Sequence, residues 1–218
     1  MGESLRLARS LPAPFVRGGV CSAPVQDGEH RDLMLGAIAA EGEAHAALLA
    51  GEIGAAHAAY LRAVDGYRAS WALSPPRSYG RLVGLLKAAV LAGEAAPAAT
   101  EVRDALDGDA DADGSPVANY ALAVAALALH DDAVLAAHAD VMDGGSDAFQ
   151  RTARALRALV DGDASGYGEA IAAIEADFAA RDEHLTGIQI ADTAVMLELL
   201  AEERGLAAHL ASPLVPVS

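Results

Sequence analysis

From His30 onwards, apolar residues recur at intervals of three and four, the spacing of one face of a helix. Leu35, Ile38, Gly42, His45 and Leu49 fall on one such stripe, and Ile53, His57, Tyr60, Val64, Tyr67 and Trp71 form the next, after Gly51 and Glu52. A third helix is expected to open with Ser74 as its cap and Pro75 in its first position. A shorter fourth covers Pro97 to Leu106, and Ser115-Pro116 opens a fifth that runs to Leu129. Asp131 to Met142 pairs with it, and Ser146 or Asp147 caps a seventh helix bearing Phe149, Leu156, Leu159 and Val160. Tyr167, Ile171, Ile174 and Phe178 are the seam of an eighth; after a break near Asp182, Thr186 caps a ninth over Gly187 to Glu203. No stretch alternates with the period of two that a strand requires.

One junction recurs. Leu49-Ala50-Gly51-Glu52 is echoed by Leu91-Ala92-Gly93-Glu94, by Leu129-His130-Asp131-Asp132 and by Val160-Asp161-Gly162-Asp163. In each an apolar helix end meets a turn residue and a carboxylate opens the next helix, where the helix dipole favours negative charge. The expected fold is therefore all-α, an α-α superhelix of about nine helices in antiparallel hairpins. Residues 1–28, rich in Pro and Gly, read as an irregular lead-in, 29–206 as one helical-repeat domain, and 207–218 as an extended tail.

Composition narrows the function classes. The core must be built from small aliphatic residues, because the chain is 53% hydrophobic but 4% aromatic. A formal charge of −16 excludes a general nucleic-acid binder, which needs a basic face. With one lysine in the chain, the acidity also fits a salt-adapted host. The single Cys21 makes no internal disulfide, no window approaches the ~20 apolar residues that span a bilayer, and the first residues lack a signal-peptide core. A cytoplasmic protein without membrane partner or cofactor is expected.

The hairpin junctions resemble those of the tetratricopeptide class; the full residue signature of that class is not repeated, so the resemblance implies architecture alone. Towards the C-terminal end, Tyr167 to Ile174, Ile188-Gln189-Ile190-Ala191-Asp192, Leu199 to Gly205 and Ser212-Pro213-Leu214-Val215-Pro216 follow in an order that resembles a helical immunity-protein family of bacterial polymorphic-toxin systems. That resemblance implies a protein that neutralises a partner toxin by binding it.

Candidate chemistry centres on an island free of carboxylates between Asp65 and Glu94, which carries Arg68, Arg77, Arg81 and Lys87 beside Trp71. In its helix, Gly80, Gly84 and Ala88 form a groove flanked by Arg77 and Arg81, with Tyr79 on the opposite arc. Either another helix packs there, or a carboxylate or phosphate is read by the arginines. Asp192 sits at an apolar wheel position and needs a buried partner, for which Arg77, Arg81 and Lys87 are the candidates. Asp182, His184 and Thr186 crowd the turn before the ninth helix and read either as exposed turn or as a polar pocket. His45 and His57 lie equally far from Gly51, so with Glu41 they form a weak alternative metal set; otherwise they are hydrogen-bonded core residues. The aspartates of the 107–114 loop echo a calcium loop without its closing glutamate.

No nucleophile elbow, phosphate-binding glycine loop or dinucleotide fingerprint occurs. The first expectation is a non-catalytic repeat protein that takes a protein or peptide on its concave face. The competing one is a small-molecule-binding or metal-dependent enzyme with a pocket between the third and ninth helices. An apolar end of the stack would also allow a homodimer.

Overall fold

The computed structural model describes residues 28–216, so the expected lead-in, apart from Gly28, lies outside the described residues. Among those residues the fold is all-α and solenoid-like. Its helices are α1 (Glu29–Leu49), α2 (Ile53–Leu73), α3 (Gly80–Leu91), α4 (Ala95–Leu106), α5 (Pro116–Ala128), α6 (Asp132–Met142), α7 (Asp147–Asp161), α8 (Ala164–Ala179) and α9 (Asp192–Glu202).

The recurring junction has a single physical form. Gly51, Gly93 and Gly162 all adopt positive φ, at 73, 76 and 67°, and His130 takes the same place at 57°. The residue after each then donates its N–H back into the helix just ended: Glu52 to the Ala47 carbonyl, Glu94 to Ala89, Asp131 to Ala126 and Asp163 to Ala158, at 2.8 to 2.9 Å. This is a left-handed C-cap followed at once by the next N-cap, so each hairpin turns in about two residues. Asp131 and Asp163 complete it with side-chain bonds to the amides of Val134 and Gly166.

Hairpins α1/α2, α3/α4, α5/α6 and α7/α8 stack in order, α2 meeting α3, α4 meeting α5 and α6 meeting α7, with α5 touching both α3 and α7. α9 instead turns back onto α3 and α8. Its residues Ala194 to Glu198, Leu200 and Ala201 are buried, as are most of α5. Met196 closes against Val83, Leu86, Tyr120 and Val124, leaving no room for a water molecule between α3, α5 and α9. Beyond α9, Arg204 reaches Asp132 at the start of α6 at 2.7 Å, and before it Thr186 touches His45 of α1. The inner side of the stack is thus filled by the chain itself.

Three sequence expectations change. The third helix begins at Gly80, because the Ser74 hydroxyl bonds back to the Trp71 carbonyl and Arg77, at φ 65°, reverses the chain. The ninth begins at Asp192 rather than Gly187: the Ala191 amide donates to Leu214 (2.8 Å) and that of Asp192 to Ile190, a turn that binds the tail. The buried face of α1 is Ala37, Ala40, Glu41, Ala44 and His45, while Leu35 and Leu49 are 58% and 51% exposed. Small residues line the seam because α1 and α2 lie close: a Cβ on Gly66 would stand 3.0 Å from that of Ala37.

Candidate functional site

Five helices and one loop bring polar side chains to one buried place on the inner side of the stack. Its centre is an ion pair between Lys87 of α3 and Asp192 of α9, with side chains 15% and 19% exposed. Burial opposes the charge of both groups, but each stabilises the other, so Lys87 is held above its ordinary range and Asp192 below. The carboxylate-free island and the apolar wheel position of Asp192 therefore answer one another, as the sequence suggests.

Around the pair, the Tyr67 hydroxyl donates to Glu41 Oε2 at 2.6 Å, and His45 Nδ1 bonds Thr186 Oγ1 at 3.1 Å. Burial pushes Glu41 upward against the pull of Lys87 and Tyr67 and lowers His45 to about 4, so the imidazole is neutral at pH 7. Tyr60 packs edge-on to His45, ring centroids 5.8 Å apart. Among the described residues, Glu41 Oε1, His45 Nε2 and the Tyr60 hydroxyl are buried without a hydrogen-bond partner, while the buried Tyr120 hydroxyl lies beside Thr193. If dry, each unpartnered atom would cost about 1–3 kcal/mol, so these atoms are the ones in this polar chamber that a buried water would satisfy. A recess of about 70 Å³ reaches Asp192 and Thr193 from outside, past Arg151 and Arg181. Both of those arginines are already bound to Asp177.

The remaining candidates lie elsewhere. Arg77 is exposed and pairs with Asp111 at 2.7 Å, and the buried Tyr79 donates to Asp109 at 3.0 Å while packing on Trp71. Both fasten the acidic loop after α4. That loop is held from within: the Asn119 amide donates to the carbonyls of Ala112, Asp113 and Ser115, and its oxygen binds His138 at 2.7 Å. Arg81 binds the Ser70 hydroxyl at 2.7 Å and His30 Nδ1 at 2.9 Å, tying α3 to α2 and α1. The small-residue groove of α3 is filled by α2 at Gly84, where a Cβ would come within 2.6 Å of the Tyr67 ring, and is open at Gly80.

Asp182 is exposed and His184 stacks on Phe178 at 4.5 Å, so only Thr186 of that trio joins the chamber. The metal set dissolves. His57 is exposed, one position beyond the buried Ala56, and among the described residues no group of three His, Cys, Asp or Glu is arranged to hold an ion. Equal distance from the turn gives equal height in a hairpin but says nothing of facing. Tyr60, Tyr67 and Tyr120 are the chamber residues that sequence reasoning assigned to core stripes or passed over; an aromatic hydroxyl on an apolar stripe was the available signal.

No family model matches this chain, and no curated protein or solved structure matches it either.

Proposed function

We propose that this chain is a non-catalytic, tetratricopeptide-like repeat protein that acts by binding another protein on its outer surface. The observation that carries the reading is the occupation of the inner side by α9, together with the internal commitment of Arg77, Arg81 and Lys87. A repeat stack whose inner face is already core offers a peptide no channel there, so the expectation of a concave-face partner gives way to an outer one. The resemblance of the chain's later part to toxin-neutralising immunity proteins supports the specific form, in which the partner is a toxin. A pull-down at native salt tests it, with mass spectrometry of retained proteins. A reproducible stoichiometric partner is expected, encoded next to this gene in the specific form; retention of no protein would overturn the reading.

A second reading rests on the unpartnered atoms of Glu41, His45 and Tyr60. They favour a small polar molecule held on the α1/α2 side of the Lys87–Asp192 pair, whereas the alternative expectation put the pocket between the third and ninth helices. Denaturing the purified protein and finding a stoichiometric released compound by mass spectrometry would establish this reading over the first.

A further inference from the structure

Among the described residues, the α1/α2 end of the stack carries an open groove. On the side of hairpin α1/α2 away from α3, a furrow of about 660 Å³ runs past Gly36, Ala40 and Gly66, and a second of about 510 Å³ continues it past Ala47 and Ala59. The ion pair of Arg62 with Glu43 lies across the division, since both residues line both furrows. By helical spacing, Arg62 and Gly66 lie on the opposite side of α2 from Arg68 and Trp71, which reach Glu101 of α4 and Tyr79 at the start of α3. This is where one more helix of the stack would pack.

The groove's chemistry narrows the occupant. Its floor is Ala and Gly with Leu33, and Gly36 is open, with nothing within 4 Å of where its Cβ would be. Among the described residues its rim holds Glu29, Asp32, Glu43 and Glu52 against one cation, Arg62, which Glu43 already engages. Docking a second copy through this face would set two such acidic rims against each other within a chain of charge −16. We propose that this groove receives a basic, amphipathic helix of the partner protein, with its apolar side on the alanine floor and its lysines or arginines on the rim. The inference rests on the protein-binding reading above and names its surface.

The probe is a fluorescein-labelled 18-residue helical peptide of leucine and lysine, read by anisotropy against the full chain, with a leucine and glutamate peptide as control. The basic peptide should bind and the acidic one should not. Gly36→Phe, which enters open space and improves helix propensity, should weaken binding at least about tenfold, as should Asp32→Lys. Circular dichroism melts that match the parent show that the variants are folded. Equal weakening by charge reversal at the distant Asp104 would reduce the effect to general acidity and overturn the proposal. So would no binding of the basic peptide, or a dimer in sedimentation that Gly36→Phe dissolves. The same variant in the pull-down separates the two readings: a partner retained undiminished by Gly36→Phe overturns the groove and leaves protein binding standing.

Discussion

At the scale of single residues, the Lys87–Asp192 pair decides how the two ends of the fold are joined. Removing one partner strands a buried charge, so Asp192→Ala or Lys87→Met should each cost about 3–5 kcal/mol in chemical denaturation. The apolar double replacement Lys87→Met with Asp192→Leu should cost less than the two single changes together; strict additivity would show that the pair is not coupled. His45 gives a sign for pH. Its folded value, about 4, lies below its ordinary 6.5, so the unfolded chain takes the proton first. Stability should therefore fall as pH drops from 6.5 toward 4, by up to about 3 kcal/mol from this group, and His45→Gln should flatten that slope. Glu41 runs the other way: raised in the folded state, it takes away stability as pH climbs from 4.5 through its shifted value. Glu41→Gln keeps an acceptor for Tyr67 and should leave the protein as stable or more so at pH 8, measured by melting. Lys87 and Asp192 were legible as partners because each is a charge exception to its surroundings. His57 was misread because in an alanine-rich helix the large side chains do not mark the buried face; Ala56, Ala59 and Ala63 do.

At the scale of elements, the helices and their four junctions could be read from the sequence because a turn residue, glycine in three of them and His130 in the fourth, followed by a carboxylate states both the end of one helix and the start of the next. The start of α3 could not, since Ser-Pro signals a helix opening and a turn alike, and the choice fell to Arg77 in the left-handed region. The two glycines of α3 separate open space from close approach. Gly84→Ala should cost about 1–3 kcal/mol by driving a methyl into the Tyr67 ring, whereas Gly80→Ala, with nothing within 4 Å, should be neutral or stabilising. Equal melting temperatures for the two variants would mean that the Tyr67 ring moves aside without loss.

For the whole molecule, the course of α9 could not be foreseen, because helical periodicity tells which face is apolar and not which neighbour covers it. An apolar surround of α9 was visible in Val195, Met196, Leu197 and Leu200; that it fills the stack came only from three dimensions. A chain ended before Ile190 should lose its single cooperative melt, since α9 is core to α3 and α8 rather than a terminal repeat. With a formal charge of −16, the melting temperature should also rise between low and molar salt as self-repulsion is screened; no change would argue against a salt-adapted surface. The place of α9 sets an order in time as well. During synthesis α1 to α8 emerge with their inner faces bare, and their alanines and leucines stay open to water, to chaperones or to a neighbouring nascent chain until residues beyond 190 arrive. The protein then completes its core late, and conditions that slow or stall translation near that point should deplete it far more than its equilibrium stability would suggest.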